Sequence, residues 1–148
     1  MASEKRHVRD VMTPNPECVT EKDSLRDVAR IMKDQDTGVV PVVDGGRKII
    51  GMITDRDIVV RCVAEGKNPL DAHVNDVMSK SVRKVRDDAT VNDVIGMMKS
   101  SEIRRVPVVN QNDEIVGIVS MGDIATDGSE RGKVGDAMQD ISSAPPNN

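Results

Sequence analysis

The chain contains one block of sequence twice, and every matching pair of positions, such as Val8 and Val74, lies 66 residues apart. The repeated stretches are Val8–Thr13 with Val74–Ser79, Val40–Val43 with Val106–Val109, and Ile49–Ile58 with Ile115–Ile124. A fixed period held over many landmarks indicates two copies of one supersecondary unit. A unit of roughly 60 residues buries little apolar surface alone, so we expect the copies to pack on each other and leave clefts between them.

The composition excludes several classes of protein. Hydrophobic residues make up 37% and charged residues 31% of the 148 positions, which is ordinary for a globular protein. The net charge of −4 offers no basic surface for nucleic acid or an anionic membrane. No apolar run reaches the roughly 20 residues that a membrane span requires, and the N-terminus is too polar for a signal peptide. We therefore expect a cytoplasmic protein with no nucleic-acid or membrane partner.

The chain has no Phe, Tyr or Trp, so its core must be built from aliphatic residues and methionine. Its two cysteines, Cys18 and Cys62, cannot form a disulfide framework, and no histidine stands near them at ligand spacing. Cys62 lies in an apolar helical stretch and is interpreted as a small buried hydrophobe. No metal site is predicted.

Each copy follows the same order of elements, β-α-β-β-α, so the fold class is α/β. Ser24 and Thr90 stand before helical apolar patterns and have an aspartate three residues later, which is the spacing of a capping box. A second helix is predicted from Asp55 to about Glu65, ended by Gly66. The predicted strands are Cys18–Thr20, Val39–Val43 and Ile49–Ile53 in the first copy, and Lys84–Arg86, Val106–Val109 and Ile115–Val119 in the second.

These elements predict four segments along the chain. Residues 8–66 form the first repeat, 67–73 the linker, and 74–127 the second repeat. Residues 128–148 form a C-terminal extension that ends in a Pro- and Asn-rich stretch predicted to be disordered.

A candidate ligand-binding motif follows the last strand of each copy. A hydroxyl residue, Thr54 or Ser120, stands where strand gives way to helix, and an aspartate, Asp57 or Asp123, follows three residues later. The start of a helix suits a phosphate group. A carboxylate can accept hydrogen bonds from both vicinal hydroxyls of a ribose. The pattern is therefore consistent with a ribose-phosphate site.

The same spacing has a purely structural interpretation. Thr54 with Asp57, and Ser120 with Asp123, also match the capping box of a helix N-terminus. Duplicated helices need duplicated caps, so the repetition alone leaves both interpretations open.

The three ordered motifs, Val-x-Asp-Val-Met, Val-Pro-Val-Val and Gly-x-x-Thr/Ser-x-x-Asp-Ile, together resemble those of the CBS-domain family. The resemblance extends from Val8 to about Thr126, and two such repeats in tandem resemble a stand-alone Bateman module. It implies two repeats packed with pseudo-two-fold symmetry. It also implies an adenosine-containing ligand in the cleft between them: AMP, ADP or ATP, with NAD or S-adenosylmethionine as further members of the class.

The resemblance also implies roles for individual residues. By position, Asp57 and Asp123 hold ribose hydroxyls, while Thr54 and Ser120 lie near the ribose-phosphate. The remaining nucleotide-binding candidates are Thr20, Val39, Val40, Arg56, Arg86, Arg105 and Val106.

The copies differ in charge around this motif. The first has Arg56 beside its aspartate and Gly38-Val39 before its Pro-Val strand; the second has Met121-Gly122 and Arg104-Arg105 at the equivalent places. Arg105 is a candidate phosphate ligand because a guanidinium fork matches phosphate oxygens. The alternative is a solvated or salt-bridged surface arginine. On either interpretation the two sites are predicted to be unequal.

No nucleophile and base are spaced in a way that supports catalysis, so no enzymatic activity is predicted. The sequence favours a non-enzymatic regulatory module that binds an adenosine nucleotide. The rival is a structural or protein-interaction module whose clefts stay empty. Apolar helix faces, with Ile58, Cys62, Val63 and Ile124 among them, lead us to expect a homodimer, which by resemblance is a four-repeat disc.

Overall fold

The computed structural model describes residues 6–80 and 82–125, and it divides into two compact units. One unit, here called the continuous unit, consists of Pro16–Val82. The other, the discontinuous unit, combines the N-terminal residues up to Asn15 with the chain from Arg83 onward. These units are cut differently from the sequence repeats predicted at 8–66 and 74–127. The predicted extension 128–148 lies outside the described residues.

The continuous unit is a β-hairpin covered by short and long helices. Its elements are α1 (Leu25–Gln35), β2 (Val39–Val43), β3 (Ile49–Thr54), α2 (Asp55–Ile58), a π-helical turn (Val59–Val63) and α3 (Val74–Val77). β2 and β3 pair antiparallel. The strand predicted near Cys18–Thr20 is reduced to a single parallel bridge between Val19 and Val42. The buried core is formed by Val19, Leu25, Val28, Val40, Val42, Ile53, Cys62, Ala72, Val74, Val77 and Met78.

The discontinuous unit contains a four-stranded sheet in the order β1-β6-β5-β4. Its elements are a 3-10 turn (Val8–Asp10), β1 (Thr13–Pro14), β4 (Val85–Arg86), α4 (Val91–Ser101), β5 (Arg105–Val109), β6 (Ile115–Ser120) and α5 (Met121–Ala125). β4 runs parallel to β5, while β1 and β5 each run antiparallel to β6. The α/β fold class predicted from the sequence is confirmed.

The helix boundaries follow the predicted caps. Ser24 accepts a hydrogen bond from the Asp27 backbone N–H (3.1 Å), and Thr90 accepts one from that of Asp93 (3.1 Å). Gly66 has a φ of +76°, which fits its predicted role as the stop of the first repeat's second helix. That helix differs from the prediction in one respect, because it changes from α to π geometry after Ile58.

Each unit takes its opening segment from the other repeat. Val8 of the first repeat is buried in the core of the discontinuous unit, and Val74 of the second repeat is buried in the core of the continuous unit. Thr13 of the same opening segment pairs with Ile118, and its counterpart Ser79 pairs with Met52. The opening segments therefore complete the other repeat's fold, which explains the difference between repeats and compact units.

Two glycines make this exchange sterically feasible. A Cβ atom on Gly51 would lie 2.7 Å from the carbonyl oxygen of Ser79. A Cβ atom on Gly117 would collide with Met12 and lie 3.0 Å from the carbonyl oxygen of Thr13. The glycine of the Gly-x-x-Thr/Ser motif thus serves close backbone approach by the exchanged segment.

Candidate functional site

The motif of the continuous unit forms a complete capping box. The Asp57 backbone N–H donates to Thr54 Oγ1 (3.0 Å), and the Thr54 backbone N–H donates to Asp57 Oδ2 (2.9 Å). Thr54 is the last residue of β3 and the N-cap of α2. The capping interpretation of this motif is therefore confirmed.

The discontinuous unit repeats this geometry. The Asp123 backbone N–H donates to Ser120 Oγ (3.0 Å), and the Ser120 backbone N–H donates to Asp123 Oδ2 (2.9 Å). In both units the hydroxyl residue and the aspartate are partly buried. A carboxylate has about four lone-pair sites, so a capping aspartate keeps the capacity to accept hydrogen bonds from ligand hydroxyls. Capping and ligand binding are chemically compatible at these residues.

The strand opposite each motif is in the same register in both units. Val39 pairs with Thr54 across β2 and β3, and Arg105 pairs with Ser120 across β5 and β6. The two units also share the next backbone hydrogen bond. In each, the N–H of the residue after the Thr or Ser donates to the carbonyl of the residue 17 positions earlier. These hydrogen bonds run from Asp55 to Gly38 (3.0 Å) and from Met121 to Arg104 (2.9 Å).

The valine candidates contribute little side-chain surface. Val40 and Val106 are buried within the apolar cores of their own units, and Val39 is also buried. Arg105, by contrast, is exposed at the start of β5. Of the candidates on these two strands, the arginine is therefore the one with an accessible polar group.

The first three backbone N–H groups of α2 in the continuous unit are engaged within the chain. The Asp55 N–H donates to the Gly38 carbonyl (3.0 Å), the Arg56 N–H to Asp55 Oδ1 (2.8 Å), and the Asp57 N–H to Thr54 Oγ1 (3.0 Å). The expectation that this helix start receives phosphate stays a prediction, and phosphate would have to compete with these hydrogen bonds. The acceptors are the Gly38 carbonyl, just before β2, and the side chains of Asp55 and Thr54.

The two units carry different groups beside the motif. In the continuous unit the Asp55 carboxylate covers Gly38, where an added Cβ would lie 3.1 Å from Asp55 Oδ2. In the discontinuous unit the equivalent positions hold the buried Met121 and the exposed Arg104. The acidic Asp55 of one unit thus corresponds to the apolar Met121 of the other, and Gly38 corresponds to the basic Arg104.

Two candidates lie at the other end of the strands. Arg86 pairs with Val109, four residues along β5 from Arg105, a separation of roughly 13 Å at strand rise. Its guanidinium lies 3.7 Å from the Asp88 carboxylate. Thr20 follows the residue that bridges Val42, and its backbone N–H donates to Asp23 Oδ2 (2.8 Å). The structure does not bring Thr20 or Arg86 beside the Thr/Ser-x-x-Asp motif of its own unit.

Arg56 and Arg61 are the cationic residues closest in sequence to Asp57. Arg56 is exposed. Arg61 Nε lies 3.8 Å from Asp57 Oδ1, and Arg61 Nη1 donates to the carbonyl oxygens of Val77 (3.3 Å) and Met78 (3.2 Å). Arg61 was not predicted from the sequence, although its i, i+4 spacing from Asp57 was a usable signal.

The cysteines differ in environment. Cys62 is fully buried, as predicted. Burial raises the pKa of the Cys18 thiol, and the nearby Arg47 partly opposes this shift. Within residues 6–80 and 82–125, no group of three or more His, Cys, Asp or Glu side chains is arranged to hold a metal ion. Over the same residues, no helix is long and apolar enough to cross a membrane.

Comparison with known proteins supports the resemblance seen in the motifs. The family model for the CBS domain matches residues 8–63 and 74–128. The protein YlbB of Bacillus subtilis is 36% identical over 136 residues, covering 91% of this chain and 90% of YlbB. Hypoxic response protein 1 of Mycobacterium tuberculosis is 34% identical over 117 residues, covering 79% of this chain and 81% of that protein.

Solved structures share the fold. The crystal structure of Hypoxic Response Protein I with two coordinated zinc ions has a TM-score of 0.75 and 32% identity, and the match covers 81% of this chain and 97% of that one. The crystal structure of CBSX2 in complex with AMP has a TM-score of 0.73 and 25% identity, and covers 86% of this chain and 98% of that one.

Proposed function

Because this chain belongs to the CBS-domain family, we propose that it is a non-enzymatic regulatory protein that binds an adenosine nucleotide through its Thr/Ser-x-x-Asp motifs. The observation that carries the proposal is the identical placement of Thr54 with Asp57 and Ser120 with Asp123, each joined by two reciprocal hydrogen bonds. This pairing fixes each carboxylate at a strand end. The AMP complex of CBSX2 supports an adenine nucleotide as the ligand class.

Each aspartate is proposed to accept hydrogen bonds from the ribose hydroxyls. A carboxylate held by a backbone N–H loses little side-chain freedom when a ligand binds, which lowers the entropic cost of binding. The hydroxyl groups of Thr54 and Ser120 accept from the aspartate N–H groups, and their protons remain available to a ribose-phosphate oxygen.

The phosphate is proposed to favour the discontinuous unit. Arg105 lies opposite Ser120 there, and Arg104 precedes it. In the continuous unit the Asp55 carboxylate stands at the equivalent of Met121 and would repel a phosphate, while Arg56 provides the opposite charge. The ligands AMP, ADP and ATP fit this arrangement best, with NAD and S-adenosylmethionine in the same class.

Regulation would follow from a population shift. A nucleotide that binds one conformation more tightly than another favours that conformation in proportion to the difference in affinity. The exchanged opening segments are the elements most suited to respond, since each is held to the other repeat's sheet. The regulated partner is a second protein.

Self-association is part of the proposal. Val59, Val60 and Val63 follow α2 and are 57%, 43% and 55% exposed. Cys62 and Ile124, which the sequence also placed on the exposed stripe, are fully buried, because each belongs to the core of its own unit. The valine patch would be covered by a second copy of the chain, giving a closed homodimer.

The rival function is a protein-interaction module without nucleotide. It is favoured by the completeness of both capping boxes, which need no ligand to satisfy their polar groups. Thermal unfolding by calorimetry separates the two functions, because a ligand that binds the native state alone must raise its stability. We expect AMP, ADP or ATP to raise the melting temperature, and a mass spectrum of released small molecules to identify the bound nucleotide. No shift with any of these ligands would favour the rival.

A further inference from the structure

The Arg61 guanidinium connects two parts of the continuous unit that come from different repeats. Its Nη1 donates to the carbonyl oxygens of Val77 (3.3 Å) and Met78 (3.2 Å) in the opening segment of the second repeat. Its Nε lies 3.8 Å from Oδ1 of Asp57 in the first repeat. One side chain thus faces both a candidate ligand residue and the exchanged segment.

The backbone around Arg61 is unusual. The Ala64 N–H donates to the carbonyl of Val59 (2.8 Å), five residues earlier, so Arg61 lies in the middle of a π-helical turn. Such turns are rare and occur frequently at functional sites. Cys62 of the same turn is fully buried and anchors it to the core, while the Arg61 side chain stays about half exposed.

Electrostatic attraction favours both contacts of Arg61, the one with the carbonyls of α3 and the one with Asp57. The last carbonyls of a helix lack partners within the helix, and a cation placed there is favourable, as Arg61 is at the end of α3. Asp57 Oδ2 is occupied by the Thr54 N–H, so Oδ1 is the oxygen that faces Arg61. At 3.8 Å the guanidinium attracts the carboxylate without making a full hydrogen bond, which leaves Oδ1 able to accept one from a ligand.

We propose that Arg61 is a positioning residue that couples Asp57 to the docking of the Val74–Met78 segment. A change in the charge or hydrogen bonding of Asp57 alters the pull on Arg61, and Arg61 passes the change to the carbonyls of Val77 and Met78. In its ligand-dependent part, this inference rests on the proposed nucleotide site. The counterpart of the Val74–Met78 segment is Val8–Met12, which belongs to the discontinuous unit and therefore serves as a reference segment outside this coupling.

Amide hydrogen exchange on the full chain tests the coupling without any ligand. We compare wild type, Asp57→Asn, Arg61→Met and the double variant, with Val8–Met12 as the internal control. Arg61→Met should speed exchange in Val74–Met78 by roughly threefold to tenfold, since charge-assisted bonds at a half-exposed site are lost. Asp57→Asn should speed it in wild type but add nothing in the Arg61→Met background. Independent, additive effects, or equal changes in Val8–Met12, would overturn the proposal.

A second arm adds AMP. In wild type, AMP should slow exchange in Val74–Met78 more than in Val8–Met12, and Arg61→Met should remove this difference. Equal slowing of Val74–Met78 in both proteins would overturn the role of Arg61 in ligand response. Failure of wild type to bind AMP would overturn the proposed nucleotide site, whereas the ligand-free cycle of variants would still decide whether Arg61 couples Asp57 to the segment.

Discussion

Arg105 lies directly across the β5–β6 ladder from Ser120, at the position where Val39 faces Thr54 in the other unit. The same backbone register therefore presents a cation to one motif and a buried aliphatic residue to the other. This difference predicts that the two nucleotide sites differ in affinity for phosphate although their backbone pairing is the same.

Replacing Arg105 tests the assignment of the phosphate. Arg105→Ala should weaken ATP and ADP binding by about threefold to tenfold, because a charge-assisted contact at an exposed site is lost. Adenosine binding should change little, and the loss for ATP should shrink at high salt. Arg30→Ala is the matched control, since Arg30 is an exposed arginine on α1 and is not a nucleotide-binding candidate. Calorimetric titration measures both; equal losses for adenosine and ATP would leave Arg105 with a structural role alone.

The ligand-binding role of Asp57 and Asp123 can be separated from their capping role by comparison with another capping box, at Thr90 and Asp93. Asp93 caps α4 through Thr90 with the same reciprocal hydrogen bonds (3.2 and 3.1 Å), but Thr90 is not the last residue of a strand, as Thr54 and Ser120 are. Asp57→Ala, Asp123→Ala and Asp93→Ala should each lower the free energy of unfolding by roughly 1 kcal/mol. Only the first two should also reduce stabilisation by nucleotide, each at one site. A similar reduction in Asp93→Ala would show that the effect is one of stability.

Substitution of Gly51, which lies against the exchanged segment, should destabilise the protein. Gly51→Ala places a Cβ 2.7 Å from the Ser79 carbonyl oxygen, so we expect a loss of about 1–3 kcal/mol in the free energy of unfolding. Gly96→Ala is the control, because α4 leaves nothing within 4 Å of the new Cβ. It should stabilise the protein by about 0.5–1 kcal/mol. Urea unfolding followed by circular dichroism measures both, since the chain lacks aromatic fluorophores. Unchanged stability of Gly51→Ala would argue against the close approach.

Dimerisation should depend on the exposed valine patch. Val63→Glu introduces a charge into the patch that Val63 shares with Val59 and Val60, and it should convert a homodimer to a monomer in light scattering at micromolar concentration. Leu70→Glu, at another exposed apolar residue, is the control and should leave the mass unchanged. A wild-type monomer would contradict the proposed homodimer.

Local elements of the fold could be predicted from the sequence because their signals are local. Ser24 and Thr90 begin helices where the capping spacing placed them, and Gly66 adopts the positive φ expected of a helix stop. The two antiparallel strands of each repeat could also be predicted, since two apolar runs flank a short stretch of turn-forming residues. The 66-residue period then located the same elements in the second copy.

The exchange of opening segments could not be predicted in this way. β1 consists of Thr13 and Pro14, whose local propensity for a strand is weak, and it exists because β6 offers an edge more than 100 positions away. Gly51 and Gly117 stand at equivalent places in the two repeats, but the sequence does not show which segment lies against them. Arg61 was missed for a related reason, because its carbonyl partners at Val77 and Met78 are brought near by the same exchange.

The occupied amides at the start of α2 show a further limit of sequence reasoning. A helix start predicts free N–H groups, yet Asp55 satisfies the Arg56 N–H through its own carboxylate.

Calorimetric titration of AMP into wild type and into the Asp57→Asn/Asp123→Asn double variant tests the central claim most directly. Asparagine keeps an oxygen for the cap and loses the charge that holds the ribose, so both proteins should fold with similar circular dichroism spectra. The account predicts saturable heat for wild type and at least a tenfold weaker affinity for the double variant, on the order of the charge-assisted contacts removed. No heat with wild type, or equal affinity in both proteins, would contradict it.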